Sequence, residues 1–384
     1  MQGDAPQPCA LDGLRVVDFG QWLAGPLAAM LLADHGADVV RVDPPGGRRW
    51  DSPADAIVNR GKRSIVLDLR TSADRRVARE LIARADVVVE SFRPGVMDRL
   101  GLGPRAMTAA DPRLVYCSIP GFAHDDPRAA LAGWEEIVAA ATGVYTPSDV
   151  PLADHAPTPG GGDRPAYSPV TLASNVGAFV AATSIGAALV ARERDGLGQA
   201  VEVALHDAMF EVVTNPATLP DSGFPAADHP RSDVQRAALS GGGTYRCADG
   251  RWIDFWPTRG KFMPWFAAEA GIEDWADDGL LDRARIVASP ELLVELRRRL
   301  AELFLTRPAL EWEQVGGRAG VPLAMHRSLA EWVGHEHARA SGAIVAVDDP
   351  ELGRTWQPGV AVTMSRTPAA PSPRRPLDGD REAI

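Results

Sequence analysis

The first half of the chain alternates short β-branched runs with helical stretches, and that alternation restricts it to an α/β fold with a parallel sheet. Strands are expected at Leu14 to Phe19, Asp38 to Asp43, Ser64 to Leu69, Asp86 to Phe92 and Leu114 to Ile119. Between the first two, Pro26 suits a helix start and Gly36 a left-handed stop, with Leu27, Met30, Leu31 and Leu32 as the buried stripe. Thr71 to Ala85 repeats the pattern with an Arg-rich outer face. A long helix is expected after Pro169, then a strand at Gln199 to Leu205. From about Thr214 Pro, Asp and Gly become frequent, and Gly241-Gly242-Gly243 precedes a hairpin at Tyr245 to Trp256 that turns at Asp249-Gly250. The expected organisation is residues 1–213 as a large domain, 214–334 as a smaller α+β domain, and 335–384 as a return to the large domain. Short strands are expected at Ala343 to Met364, and the Pro-rich tail beyond reads as a poorly ordered end.

Composition narrows the function. A chain of 384 residues with 45% apolar content can bury a large core over two domains. Its formal charge of -11 argues against nonspecific binding to nucleic acid or to an anionic membrane. Cys9, Cys117 and Cys247 have no metal-ligand spacing and form no even disulfide framework, which reads as reduced thiols in a cytoplasmic protein. The start MQGDAPQPCA has an acid and prolines where a secretion signal carries basic residues and an apolar run. The uncharged run Pro165 to Ala191 is diluted by Ser, Thr, Asn, Gly and Ala, so it reads as a close-packed buried helix rather than a membrane span.

The turn after the first strand, Gly20-Gln21-Trp22-Leu23-Ala24-Gly25-Pro26, lacks the glycine pattern of a dinucleotide loop, so no nicotinamide cofactor is expected. Asp43 then reads as a strand-terminal turn acid. Neither a phosphate-loop motif nor the G-x-S-x-G of hydrolases is present. Cations say more. Arg60, Lys62 and Arg63 lead into one strand, Arg70 ends it, and Arg93 and Arg99 follow the next, which suggests a gathering near the carboxyl ends of neighbouring strands. Arginine suits phosphate because its planar fork donates two charge-assisted hydrogen bonds. For Arg70 and Arg99 that reading stands beside a solvated surface. Trp134-Glu135-Glu136 opens a helix that Gly143 would stop. Acids there commonly serve only the helix dipole, and the chemical reading is a base or nucleophile beside an aromatic wall. No histidine pairs with a Ser or Cys at a recognisable spacing, and no metal is expected.

Leu11-Asp12-Gly13-Leu14-Arg15-Val16-Val17-Asp18, Leu23-Ala24-Gly25-Pro26, Leu31 to Val40 and Asp43-Pro44-Pro45-Gly46-Gly47 together resemble the opening of class III coenzyme A transferases, a family that includes formyl-CoA and carnitine CoA-transferases and α-methylacyl-CoA racemases. Asn59 to Ile65, Ala85 to Gly95, Tyr116-Cys117-Ser118-Ile119, Gly196-Leu197-Gly198-Gln199, Gly242-Gly243-Thr244-Tyr245 and Gly320-Val321-Pro322 continue the likeness over nearly the whole chain. The resemblance implies a Rossmann-like large domain, a small domain and two chains interlocked as a dimer. It also implies coenzyme A or acyl-CoA on the large domain, with Leu67, Arg70, Phe92 and Arg99 at adenine- or phosphate-contacting positions, and Ser91 in place of a common Asn.

Such transferases use an Asp that attacks the acyl thioester and passes through a mixed anhydride and an enzyme-CoA thioester. Here Ala173 or Ser174 occupies that position, and Pro165 to Arg192 holds no Asp or Glu at all. The His of the racemases falls on or near Trp134, so racemisation is disfavoured further. Glu135, with Glu136 beside it, is the candidate catalytic carboxylate. Three readings follow: a CoA-transferase with a relocated carboxylate, a silent CoA-binding subunit of a heteromer, or an acyl-CoA isomerase or lyase using one base. Homodimer and heterodimer both remain open, and the acid partners are not legible.

Overall fold

Residues 8–47, 50, 52–144, 170–212, 240–369 and 371 are described by a computed structural model. The chain divides into two compact units, Met1–Tyr145, Tyr167–Thr214 and Val333–Ile384 forming one and Thr146–Ala166 with Asn215–Trp332 the other.

In the first unit the expected β-branched runs form a six-stranded sheet from β1 (Arg15–Asp18), β2 (Asp38–Asp43), β3 (Lys62–Val66), β4 (Val87–Glu90), β5 (Val115–Ser118) and β6 (Ala200–Glu202). All neighbours are parallel, in the order β3-β2-β1-β4-β5-β6. Central β4 is buried along its whole length, as expected of a strand covered on both faces. The first helix, α1 (Ala24–Asp34), starts two residues before Pro26, and Gly36 takes the left-handed turn (φ +103) that the sequence assigned to it. Helix α2 (Ala54–Val58) precedes β3. In α3 (Ser72–Ile82) the Thr71 hydroxyl accepts from the Asp74 N–H at 3.1 Å, while the Asp74 carboxylate accepts from the Asp68 N–H at 2.8 Å and anchors the turn before the helix. Short α4 (Val96–Arg99) and α5 (Pro104–Ala110) follow β4, and α6 (Glu135–Ala141) follows β5.

The long helix expected after Pro169 is α7 (Leu172–Asp195), ended by Gly196 in the left-handed region. Among the described residues it is the one helix long and apolar enough to cross a membrane. Its small residues Ala173, Gly177, Ala178, Ala181 and Ala188 are buried, and a Cβ on Gly177 would meet the Leu205 side chain at 2.4 Å. This helix packs on α1 and on α8 (Leu205–Val212). The strand expected to reach Leu205 is shorter. The Leu205 N–H donates to Pro120 and the His206 N–H to Gly121, which turns the chain into α8.

Arg60, Lys62 and Arg63 correct the expectation of a cation cluster at the carboxyl ends. Carboxylates on neighbouring elements claim all three. The buried Arg60 forks onto Asp34 of α1, the buried Lys62 donates to Asp18 Oδ2 at 2.8 Å, and Arg63 pairs with Asp38 at 2.6 Å. Arg60 also donates to the Pro358 carbonyl at 2.6 Å. That bond ties in an antiparallel hairpin of β10 (Ile344–Asp349) and β11 (Gly353–Pro358), the short strands expected near the C-terminus.

The second unit has its own core, with Phe255, Phe266, Phe304 and Trp312 packed together at its centre. The expected hairpin is there as β7 (Gly243–Arg246) and β8 (Trp252–Phe255), turning at Gly250 (φ +78), and β9 (Leu323–Met325) adds a third antiparallel strand.

Candidate functional site

The strand order changes direction between β1 and β4. Open parallel sheets bind ligands at that switch, outside the carboxyl ends of the strands. Two loops leave the sheet there. The Gln21 N–H donates to Ser91 Oγ at 2.9 Å and the Ser91 hydroxyl donates back to the Gln21 carbonyl at 3.3 Å, stitching the loop after β1 to the loop after β4. Serine at this position therefore does make a hydrogen bond. Gly20 and Gly25 permit the tight loop, because a Cβ on either would lie 2.8 Å from the backbone of the other.

Beside the switch lies a cavity of about 360 Å³, walled by Phe19, Gln21, Val42, Leu67, Phe92, Val96 and Leu100, with Asp68 and Arg70 among its polar lining. That volume is in the range of small-molecule sites. Leu67, Arg70 and Phe92, three of the residues proposed for nucleotide contact, meet at this cavity. Arg99, the fourth, is exposed at the end of α4 and outside the lining, although Val96 and Leu100 of the same turn contribute. Arg70 donates to both oxygens of Asp68, at 2.8 and 2.9 Å, and its guanidinium holds that carboxyl below the usual carboxylate range. With the Arg70 side chain 83% exposed, solvent screens the pair, so exchange of Asp68 for a phosphate costs little.

The second part of the site is built on the start of α7. Glu135 opens α6, and its carboxylate reaches residues 38 and 39 positions later in the sequence. Oε1 accepts from the Ala173 N–H at 2.7 Å, and Oε2 accepts from the Ser174 N–H at 2.9 Å and the Ser174 hydroxyl at 2.8 Å. These are first-turn amides that lack a partner within their own helix. The resemblance placed the missing Asp at Ala173 or Ser174, and the structure delivers a carboxylate to that point from another element. Glu136 is exposed on the next position of α6, and the structure does not bring it to α7.

An aromatic link joins the two parts. Trp134, immediately before Glu135, meets Trp22 of the loop after β1 edge to face with ring centroids 5.0 Å apart. Trp22 has φ +64, the one positive φ of a non-glycine among the described residues. Such a conformation costs on the order of 1 to 3 kcal/mol and persists where its surroundings enforce it. Both rings are about half exposed, at 42% and 51%.

Sequence reasoning passed over Glu90, a charge ending the apolar run of β4. It is 6% exposed, its carboxyl accepts from the Phe92 N–H at 2.8 Å, and Ser118 supplies a further hydrogen bond. Burial, reinforced by Asp98 and Glu202, pushes it up to about 7. A carboxyl raised in the folded state favours folding fully below its ordinary range and loses that contribution as pH rises through about 7. Glu90→Gln is therefore expected to flatten the fall in stability between roughly pH 5 and 8 and to be more stable than the parent at pH 8, by up to about 3 kcal/mol. Chemical denaturation at a series of pH values checks this, and parallel profiles for the two proteins would sink it.

Burial also pushes the Cys117 thiol up to about 12 and the Cys247 thiol up to about 11, which removes both as nucleophiles. Among the described residues no group of three or more His, Cys, Asp or Glu side chains is placed to hold a metal ion.

A Rossmann-type sheet with a cavity beside its switch point defines the class as an α/β protein with a small-molecule site. The model of CoA-transferase family III matches residues 11–381, and the chain belongs to that family. It is 36% identical to the CoA-transferase/lyase DddD of Marinomonas sp. over 92% of this chain and 46% of that protein, so it spans about half of that relative's length. The probable fatty acyl-CoA transferase Rv3272 of Mycobacterium tuberculosis is 32% identical over 79% of each chain, and its crystal structure superposes with a TM-score of 0.80, 26% identity and 99% coverage of both chains. The alpha subunit of succinyl-CoA–L-malate CoA-transferase of Chloroflexus aurantiacus is 27% identical over 95% of this chain and 85% of that subunit.

Proposed function

We propose that this chain is a CoA-transferase that moves coenzyme A between carboxylic acids, with Glu135 as the carboxylate that carries the acyl group and then CoA. The observation that carries the reading is the Glu135 carboxylate held on the Ala173 and Ser174 amides, where the family resemblance expects an Asp side chain. Glu135 attacks the acyl thioester carbon as the C–S bond breaks, giving a mixed anhydride and CoA thiolate. The thiolate attacks the Glu135 carbonyl carbon and releases the donor acid. The acceptor carboxylate then enters by the reverse steps. When the Glu135 carbonyl carbon is attacked, the amides that hold its oxygens become oxyanion donors, already oriented by α7.

Nucleotide recognition falls to the cavity. Phe92 and Leu67 offer apolar faces to a base, and Arg70 a fork to phosphate. Phe92→Ala is expected to weaken CoA binding roughly 10- to 100-fold through lost stacking. Arg70→Ala is expected to weaken it about tenfold and to reduce the salt dependence of binding. Isothermal titration with CoA checks both, and unchanged affinity in both variants would move the nucleotide elsewhere.

A second reading has one specific observation in its favour. Both backbone hydrogen bonds to Glu135 are ones that a helix cap makes, so the chain would be a CoA-binding subunit beside a related chain that carries the Asp. Exposed Phe179, Val190, Phe210 and Val212 on α7 and α8 support an assembly with a second chain, identical or related. Mass mapping after incubation with acyl-CoAs separates the readings. An acyl or CoA adduct on Glu135 supports the transferase, whereas CoA binding without adduct, with activity restored by a related chain, supports the subunit.

A further inference from the structure

The hydrogen bond from the Ser174 hydroxyl to Glu135 Oε2, at 2.8 Å, places a nucleophile directly on a carboxylate base. The base is itself oriented by a third group, since the Ala173 and Ser174 N–H groups fix both of its oxygens. Nucleophile, base and orienting donors are the arrangement by which a hydroxyl is activated toward an acyl carbon. Ser174 is 9% exposed and sits in the first turn of α7, while Glu135 is part-exposed. The hydroxyl is thus largely shielded from bulk water, while Glu135 keeps part of its surface exposed.

We propose that Ser174 is an acyl-accepting nucleophile activated by Glu135, giving the chain an acyl-CoA hydrolase activity that needs no acceptor acid. The proposal rests on acyl-CoA reaching Glu135, as the transfer reading requires. Ser174 Oγ bonds to the thioester carbon as the C–S bond breaks. Its proton passes to Glu135 Oε2 and on to the departing CoA sulfur, leaving an oxygen ester on Ser174 and free CoA thiol. A water molecule then attacks the ester carbon and gives its proton by way of Glu135 to Oγ as the C–Oγ bond breaks. The products are the carboxylic acid, CoA thiol and the original Ser174. An ester lies below a thioester or an anhydride in acyl-transfer potential, so CoA does not recapture the acyl group and the route ends in hydrolysis.

The test uses the full chain with a short acyl-CoA and no added acid. Thiol release is followed with a disulfide reagent, and acid-quenched protein is mapped by mass before and after neutral hydroxylamine. Expected is an acyl adduct on Ser174 that survives neutral hydroxylamine, as an ester does and an anhydride or thioester does not. Thiol release should fall at least tenfold in Ser174→Ala, and an adduct should return in Ser174→Cys in hydroxylamine-sensitive form. Undiminished thiol release in Ser174→Ala, or an adduct confined to Glu135, overturns the proposal. Mapping of the unaltered chain keeps the test decisive if the variants misfold. Exchange of CoA between acids with no Ser174 ester leaves the transfer reading standing without this one, a Ser174 ester without exchange does the reverse, and failure to bind CoA by calorimetry removes both.

Discussion

On the proposed reading, Glu135→Ala is expected to lower CoA exchange between carboxylic acids at least roughly 1,000-fold, because it removes the group proposed to carry both the acyl and the CoA adduct. The same change strips the Ala173 and Ser174 amides and the Ser174 hydroxyl of their acceptor. Loss of a helix cap costs about 1 kcal/mol, and part-buried donors left without a partner raise the figure toward roughly 3 kcal/mol. A drop in activity alone therefore does not identify a nucleophile, and Glu135→Gln resolves the ambiguity. Its single amide oxygen can still accept from one side of the α7 start while its NH2 group cannot accept from the other, so part of the stability returns, but it cannot form the anhydride. A Gln variant that folds like the parent and exchanges no CoA establishes chemistry at this position. A Gln variant with near-parent exchange reduces Glu135 to a cap.

Arg60→Ala is expected to destabilise the first unit by about 3 to 5 kcal/mol, the cost of leaving a buried carboxylate without its partner. Arg60 and Asp34 are 1% and 2% exposed and meet through two parallel hydrogen bonds of 3.0 and 2.6 Å. Asp34 closes α1, where an acid opposes the helix dipole, so Arg60 also offsets an unfavourable helix end. Its remaining nitrogen donates to Pro358 and, at 3.4 Å, to Gln357, which makes the C-terminal hairpin depend on the same side chain. The loss should appear in urea denaturation as a lower midpoint. Replacing both partners, Arg60→Met with Asp34→Leu, should cost less than Arg60→Ala alone, because no charge is then left buried. A single-variant loss below about 1 kcal/mol would show that water reaches Asp34 and that the pair is not a buried clamp.

The same cationic segment shows where reading the sequence stopped. Arg60, Lys62 and Arg70 are chemically alike in the chain, and each suits phosphate. Two of them face buried aspartates contributed by α1 and β1, while Arg70 is 83% exposed at the cavity. Which cation is structural depends on partners 26 and 44 residues away, and no local pattern encodes that distance. Leu67 and Phe92 came from the family resemblance, whereas the strand-end rule for parallel sheets pointed to cations such as Arg70. Arg99 followed from the same logic, but a one-turn helix carries its side chain off the lining that Val96 and Leu100 share. Glu90 was missed because a charge at a strand end reads as a turn residue until burial on both faces of β4 is known.

By itself the sequence determined the periodicities: alternating β-branched runs and helices that close into a parallel sheet, a later hairpin at Asp249-Gly250, and the absence of any carboxylate in the stretch where this family keeps its nucleophile. Those features are local, set by side-chain spacing and backbone preference within a few residues. Only the tertiary structure decided that Glu135 crosses to the start of α7 and that a serine hydroxyl lies on the same carboxylate. The reason is that unpaired amides at a helix start donate to any well-placed anion, and the identity of that anion is set by which elements the fold packs together.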